Sequence, residues 1–355
     1  MKKFLILILG LSLTAASCDL VTGTFDAGSG GSRGVLKSED QGETFNPANK
    51  LSPKGDINNA NVNTLVFSSN NSNTIYLGAP NGIYKSEDNA KTWRYILSGI
   101  SVSDMAVDRF ASNTIYAAGM AGTNGKIIKS LDNGTSWVDI YTEPSKSNAV
   151  QALASSPVNP DLLFAGLSSG EAIKSSDGGR TWQASHDFAS KVVKIAFSQT
   201  GMVYALTQSK GLHKSEDAGG KWNELTSILT KDFLYPPKNT LPSVTEFVDL
   251  ALDKQQAGML YLGTQQGLFK STDDGANWSL LGLPIKDSGL RVTAVKVNPS
   301  NSHNVFAAVG TTLFKSVNGG LTWQTKVLGI GVGARAILID PQSNNLIYLG
   351  MAQIR

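Results

Sequence analysis

The sequence predicts an all-β fold, a seven-bladed β-propeller of four-stranded antiparallel blades in which the N- and C-terminal strands share one blade. Three observations predict this fold. A twelve-residue motif occurs seven times, the segment between two copies reads as further strands, and the chain begins with half of a unit and ends with the other half. Repeats of about 40–50 residues with four short strands each are typical of propeller blades.

The composition is that of an ordered, water-exposed chain. The protein has 355 residues, of which 41% are hydrophobic and 17% charged, too polar for a protein with many membrane spans. Its formal net charge is +3, and Lys2 and Lys3 supply two of the positive charges. The remainder is close to neutral, which argues against nucleic-acid binding. The sequence has no zinc-ligand spacing, so we expect neither a metal nor a cofactor.

The N-terminal segment, residues 1–17, has the features of a signal peptide. Two lysines precede an apolar run at residues 4–13, which is too short to span a bilayer as a folded helix. The only cysteine, Cys18, follows in the sequence AASC, which resembles the lipobox of bacterial lipoproteins except for Ala15, where that motif favours leucine. The resemblance implies lipidation of Cys18. Ordinary secretion with a chance cysteine is the alternative.

Residues 18–34 are predicted to be a flexible tether, because they are rich in glycine and serine. Such a segment spans roughly 20–25 Å on average. The propeller itself is expected to occupy residues 35–355. The sequence therefore indicates a monomer that a lipid anchor holds in the cell envelope of a bacterium, at the inner membrane, its periplasmic side or the outer surface.

The repeated motif, for example GLFKSTDDGANW at residues 267–278, reads as a hairpin. Apolar residues alternate before a Lys–Ser pair as they do in a strand. The serine and the acid two positions later can bond backbone amides in the turn, and a glycine permits the positive φ of a tight hairpin. A calcium loop or a catalytic pair would not be needed seven times, so we expect these acids to be structural. We call the segment from the serine to the closing aromatic residue the motif turn. The acid position is occupied by Asp40, Asp88, Asp132, Asp177, Asp217, Asp273 and, in the last copy, Asn318.

The chain ends predict how the ring closes. Residues 336–351 supply the first two strands of a unit, and residues 34–45 supply the last two. Joined, they form one blade that leaves no sheet edge exposed.

A lysine precedes every motif serine, which offers two interpretations. The favoured one is that the lysine stems cover neighbouring aromatic rings while the ammonium groups remain in water. The other is a basic outer ring that meets an acidic partner or lipid headgroups. The lysines are Lys37, Lys85, Lys129, Lys174, Lys214, Lys270 and Lys315.

The pattern Ser-x-Asp-x-Gly-x-Thr-Trp resembles the Asp-box, or BNR, repeat of the sialidase-like superfamily of β-propellers, over about residues 35–355. The resemblance implies that the motif turns lie on one face of the ring and that ligands bind on the other. The units differ from one another at the start of the innermost strand, near the ligand face. A solvated rim is the alternative to a site there. The expected ligand-binding residues are Asp104, Gln151, Lys194, Asp249, Arg291 and Arg335.

The longest connection, residues 223–244, is a second candidate for ligand contact. Long loops in compact folds are usually functional or disordered. Phe233 and Tyr235 beside two prolines suit contact with a peptide or a glycan, and a loop that packs its own aromatic residues is the alternative.

The resemblance favours binding over catalysis. Sialidases use an arginine triad, and only Arg291 and Arg335 are suitably placed in this chain. The architecture is similar to the seven-bladed photosystem II assembly and stability factors, which implies a scaffold that binds a protein, peptide or glycan without catalysis. A glycoside hydrolase is the alternative, with Asp104 and Asp249 as the catalytic carboxylates, or Asp187 or Asp232 in their place. Xyloglucan-active relatives place their site between two such propellers, and this chain has length for one.

Overall fold

The computed structural model describes residues 33–226, 229, 244–285, 291–329 and 331–353. These residues form 28 strands in seven four-stranded antiparallel sheets. The innermost strand of each sheet contacts the innermost strands of both neighbouring sheets, so the sheets are the blades of a closed ring. The predicted seven-bladed propeller is confirmed. No helix within the described ranges is long and apolar enough to cross a membrane.

Blades 1 to 6 are built from consecutive strands, with the first strand innermost and the fourth outermost. In blades 1, 3, 4 and 5 the second strand is buried along its whole length, because each blade packs between two others and both faces of its sheet need apolar residues. The fourth strands are mostly exposed.

The first three blades have the following strands. Blade 1 contains β3 (Thr64–Phe67), β4 (Ile75–Ala79), β5 (Gly82–Ser86) and β6 (Arg94–Ser98); blade 2 contains β7 (Ser101–Val107), β8 (Ile115–Ala121), β9 (Asn124–Ser130) and β10 (Val138–Lys146); blade 3 contains β11 (Val150–Ser155), β12 (Leu163–Leu167), β13 (Glu171–Ser175) and β14 (Gln183–Asp187).

The other three continuous blades follow the same plan, and their outermost strands are short. Blade 4 contains β15 (Val192–Phe197), β16 (Val203–Thr207), β17 (Gly211–Ser215) and β18 (Asn223–Glu224); blade 5 contains β19 (Phe247–Leu252), β20 (Leu260–Thr264), β21 (Gly267–Ser271) and β22 (Ser279–Leu281); blade 6 contains β23 (Val292–Asn298), β24 (Asn301–Val309), β25 (Thr312–Ser316) and β26 (Gln324–Val327).

Blade 7 is made from both ends of the described chain, as predicted. It contains β27 (Gly333–Ile339), β28 (Ile347–Ala352), β1 (Gly34–Ser38) and β2 (Asn46–Pro47), in that order from the channel outwards. β1 pairs antiparallel with β28 over its whole length, from Gly34 opposite Met351 to Ser38 opposite Ile347. Because β1 supplies the third strand of this sheet, the N-terminal segment closes the ring.

The motif turns share one hydrogen-bond network, shown here for blade 2. The Ser130 hydroxyl accepts from the Gly134 amide at 2.8 Å and donates to the Asp132 carboxylate at 2.8 Å. That carboxylate also accepts from the Ser136 amide at 2.8 Å. The Ser136 side chain and amide lower the pKa of Asp132 to about 2, since both bonds favour the charged carboxylate. In all seven turns the serine oxygen accepts the amide four residues later at 2.7–2.9 Å. The carboxylates of these turns therefore form hydrogen bonds within their own turns, which is a structural role.

The lysines before the motif serines correct one expectation. Four of these lysines stand against a tyrosine ring, and Lys129 Nζ lies 5.2 Å from the centroid of Tyr116. The ammonium groups, however, bond to protein rather than to water alone: Lys129 Nζ donates to the Gly178 carbonyl at 3.0 Å. In five blades the lysine reaches the motif turn of the next blade, so this column ties neighbouring blades together. The acceptors, for Lys129, Lys174, Lys214, Lys270 and Lys315 in turn, are Gly178, Ala218, Asp274, Gly319 and Glu43.

Candidate functional site

A channel runs along the axis of the ring between the seven innermost strands. Its volume is about 910 Å³, and side chains of all seven blades line it. Each innermost strand begins at the face that carries the connections between blades, which we call the linker face. It ends at the face that carries the motif turns, which we call the turn face. Residues just before an innermost strand therefore surround one mouth, and residues just after it surround the other.

Asp249, in β19, spans the gap between blades 5 and 6. One of its carboxylate oxygens accepts the backbone amide of Val295 at 2.9 Å. The other lies 3.6 Å from Lys194 Nζ. The Asp249 side chain is 16% exposed and that of Lys194 39%, and what is exposed faces the channel lumen. The charge of Asp249 is the main reason that the pKa of Lys194 is raised, although burial opposes it.

Asp104, in β7, spans the gap between blades 2 and 3 in the same way. Its carboxylate accepts hydrogen bonds from the backbone amide of Leu153 in the next blade at 3.1 Å and from the Thr64 hydroxyl in the previous blade at 3.3 Å. It also accepts the backbone amide of the adjacent residue, Met105, at 2.9 Å. Burial raises the pKa of Asp104 above its ordinary value, although Lys194 and these donors act in the opposite direction.

Both aspartates therefore connect neighbouring blades. The position equivalent to each aspartate on the next blade is an alanine, Ala152 or Ala294, and both alanines are fully or almost fully buried. A small residue there leaves room for the carboxylate to reach the amide that follows. An aspartate in one blade, followed by an alanine at the equivalent position of the next blade, thus permits the hydrogen bond between the carboxylate and the backbone amide.

Gln151 lines the channel, but it is not the residue of blade 3 that is equivalent to Asp104, contrary to what the comparison of the repeats indicated. The innermost strands of blades 2 to 7 each contain a β-bulge near the linker face. In blade 3 the bulged residue is Gln151, so the equivalent of Asp104 is Ala152. Because blade 2 and blades 4 to 7 carry the equivalent bulge, the bulge does not displace blade 3. The column is fixed instead by the pairing of Ala152 with Gly166, two residues after the buried Phe164.

The linker-face mouth carries more positive than negative charge. Lys191, Arg291 and Arg335 line it together with Glu246. Arg291 donates to and pairs with the Glu246 carboxylate. Burial and the charge of Arg335 lower the pKa of Lys191, and burial and Arg291 lower that of Arg335. Among the described residues, neither Lys191 nor Arg335 has a carboxylate within ion-pair distance.

Sequence reasoning missed five charged residues of the channel, because it sought the site at one position of each innermost strand. Lys191 and Glu246 immediately precede β15 and β19 at the linker face. Asp253, Lys254 and Lys296 lie towards the turn face. Lys296 is a charged residue at a position that is aliphatic in the other blades, a difference that could have marked it as a channel residue.

Several predicted residues are not part of this arrangement. Asp187 ends β14, the outermost strand of blade 3, and accepts the amide of Ala189. It lies away from the channel, so it does not join Asp104 or Asp249. Phe233, Tyr235, Asp232 and Cys18 lie outside the described residues.

Glycoside hydrolysis sets a demanding test for the two channel aspartates. It needs two carboxyl groups about 5–10 Å apart that flank the scissile bond. Asp104 and Asp249 stand on blades 2 and 5, and each has an oxygen occupied by a backbone amide of the next blade. The raised pKa of Asp104 is a property of a general acid, whereas the fixed hydrogen bonds are typical of a structural carboxylate.

The comparison with known sequences finds no matching family model. A xyloglucanase of Hypocrea jecorina is 25% identical over 297 residues, which are 70% of this chain and 35% of that protein. A xyloglucanase of a Paenibacillus species is 25% identical over 164 residues, 37% of this chain and 16% of that protein. The chain therefore spans about a third or less of the curated relatives that it matches.

Solved structures with the same fold include xyloglucanases and YCF48. The xyloglucanase of Xanthomonas campestris superposes with a TM-score of 0.66 at 18% identity, over 82% of this chain and 51% of that one. YCF48 from Cyanidioschyzon merolae superposes with a TM-score of 0.62 at 14% identity, over 82% of this chain and 95% of that one. A structure of YCF48 bound to D1 peptide gives a TM-score of 0.60 at 17% identity, over 83% and 94%. In fold, the chain is similar to nearly the whole of YCF48 and to about half of a xyloglucanase.

Proposed function

We propose that this protein is an exported, lipid-anchored propeller that binds a peptide segment of a partner protein at the linker-face mouth, without catalysis. The peptide segment is expected to carry carboxylate groups. The proposal covers the lipid anchor at Cys18 and the location in a bacterial cell envelope as well as the binding itself.

One observation carries the binding proposal, the unbalanced charge of the linker-face mouth. Three cations stand there with one carboxylate, which is already engaged by Arg291. Lys191 and Arg335 are pushed towards lower pKa values by burial and by neighbouring positive charge. A carboxylate that approaches them relieves this repulsion and forms charge-assisted hydrogen bonds, which are stronger than neutral ones.

Two further points support binding by this chain alone. The channel aspartates are engaged in holding blades together, so they are poorly placed to move protons. The likeness to YCF48 extends over nearly the whole of that protein, for which a complex with D1 peptide is described, whereas the likeness to xyloglucanase covers half of its chain.

The N-terminal end of the propeller, which would connect to the proposed lipid anchor, lies on the same face as the linker-face mouth. β1 begins at Gly34, opposite Met351 near the linker-face end of β28. A tether at residues 18–34 would therefore leave the propeller on the linker face. In an anchored protein, that face and its mouth would be turned towards the membrane, within reach of segments that emerge from it.

A second candidate function is glycan hydrolysis, with Asp104 as the acid. It is favoured by the raised pKa of Asp104 and by the sequence similarity to xyloglucanases. A related alternative is that the linker-face mouth binds a glycan without cleaving it.

The double substitution Lys191→Gln with Arg335→Gln tests the binding proposal. We expect it to weaken binding of a fluorescein-labelled, glutamate-rich peptide at least tenfold, because each lost charge-assisted bond is worth about 1.5–3 kcal/mol. Fluorescence anisotropy with the full chain in detergent measures this. The matched control is Lys126→Gln, whose ammonium pairs with Asp139 on the outer strands of blade 2. Equal affinities of the double variant and the unmodified protein would overturn the proposal, as would equal binding of the same peptide with glutamine in place of glutamate.

A further inference from the structure

Lys296 stands alone in a column of aliphatic residues. In every blade, one residue of the innermost strand pairs with the aromatic residue of the second strand, and in blade 6 this pair is Lys296 and Phe306. A lysine at this position places an ammonium group inside the channel, where the other blades place methyl groups. The equivalent residues are Val66, Ala106, Ala154, Ala196, Ala251 and Leu338.

The ammonium of Lys296 has no counter-ion in the described structure. Its side chain is half-buried and lines the channel, and no carboxylate of the described ranges lies within ion-pair distance. Burial, followed by repulsion from Lys254 and Lys194, lowers the pKa of Lys296 to about 8, and Asp249 and Asp104 offset this only in part. An unpaired charge inside protein is unfavourable, so a site of this kind gains from an anion.

Two more cations lie at or beside the turn-face end of the channel. Lys254 follows β19 and lines the same channel, and its pKa is lowered by burial and by the charge of Arg109. Arg109 follows β7, and its Nη1 donates to the Gln199 side chain at 3.2 Å, which leaves its other donors for a ligand. Gln199 also lines the channel. Lys254 and Lys296 thus line one end of the channel and Arg109 stands beside Lys254, while the Asp253 carboxylate at this end is buried and accepts from the Ser302 hydroxyl.

We propose that Lys296, Lys254 and Arg109 form a binding site for a small oxyanion, a carboxylate or a phosphate group, at the turn-face end of the channel. The donors are N–H groups of three separate blades, which suits a ligand with several acceptor oxygens. The Arg109 guanidinium can bond two oxygens at once, and Lys296 supplies a point charge from the channel wall. The site suits a free anion as well as the charged group of a larger molecule that enters the channel.

This site is separate from the linker-face mouth. It lies at the opposite ends of the innermost strands and shares no residue with Lys191, Arg291 or Arg335. Failure of peptide binding at one mouth therefore leaves the oxyanion site untouched, and the reverse holds as well.

Phosphorus NMR of inorganic phosphate, titrated with the full chain in detergent, tests the site. We expect saturable line broadening at pH 7, at least tenfold weaker binding in Lys296→Met, and recovery in Lys296→Arg. Lys296→Met should fold, because the equivalent positions in the other six blades are aliphatic. Affinity should fall as the pH rises through about 8, because Lys296 then loses its charge. The charged groups that face it are Lys254, Lys194, Asp249 and Asp104.

The matched control is Lys326→Met, on the outermost strand of blade 6 and away from the channel. It should bind phosphate as the unmodified protein does. A parallel titration with malonate, followed by its displacement of phosphate, distinguishes a carboxylate site from one selective for phosphate. Absence of saturation with both anions overturns the proposal, and so does binding that Lys296→Met leaves unchanged.

Discussion

Deleting residues 34–47 is expected to abolish cooperative folding of the propeller. The deletion removes β1 and β2, half of blade 7, and exposes the edge of β28. It also removes Val35, Leu36 and Phe45, which are at most 3% exposed. Burial of side chains of this size contributes about 1.5–3 kcal/mol each. Their sum, with the lost strand pairing, is comparable to the total stability of a domain, about 5–15 kcal/mol.

Urea unfolding followed by tryptophan fluorescence measures this effect, since Trp93 is fully buried and donates to the Ala48 carbonyl next to the deleted segment. A synthetic peptide of residues 33–50, added in excess, is the positive control and should restore the transition. A truncated chain that unfolds with the same midpoint and slope as the intact protein would show that β1 does not close the ring.

Replacing Asp249 separates a structural carboxylate from a catalytic one. Asp249→Ala leaves the Val295 amide without its acceptor, which is expected to lower the free energy of unfolding by about 1–3 kcal/mol. Asp249→Asn retains a side-chain oxygen for that amide and loses only the ion pair with Lys194. The lysine side chain is 39% exposed to the lumen, so this loss should be below about 1 kcal/mol.

Chemical denaturation of the two variants provides the measurement. Asp139→Ala is the matched control, because its ion pair with Lys126 lies at the surface and should contribute little. If Asp249→Ala destabilises the protein no more than Asp249→Asn does, the carboxylate is not a connection between blades, and its role as a chemical group gains support.

The fold was predictable from the sequence because the repeated unit combines local and global signals. Ser130, Asp132 and Gly134 specify a turn by their own chemistry, and the equivalent residues do so six more times. The split unit at the two chain ends then leaves ring closure as the arrangement without exposed edges. The lysine column shows the limit of such reasoning. That Lys129 stands against Tyr116 follows from strand pairing, but its bond to Gly178 depends on how closely the next blade approaches.

The site was predictable only in part, because channel residues depend on register. Asp104, Lys194 and Asp249 lie on innermost strands and line the channel, a position that the repeat pattern indicates. Gln151 stands one residue before its predicted position, which only the pairing of Ala152 with Gly166 reveals, and the connection of Asp104 to Leu153 joins residues of different blades. Neither feature has a signature in one sequence. Lys296 was visible as a charge in an aliphatic column, but only once the columns were aligned by strand pairing.

The central claim, binding without catalysis, is tested most directly by incubating the full chain with xyloglucan and analysing the products by mass spectrometry. The account predicts that the polysaccharide remains intact and that no oligosaccharides accumulate. Release of oligosaccharides by the unmodified protein, lost in a folded Asp104→Asn variant, would contradict it and would assign Asp104 to glycan hydrolysis.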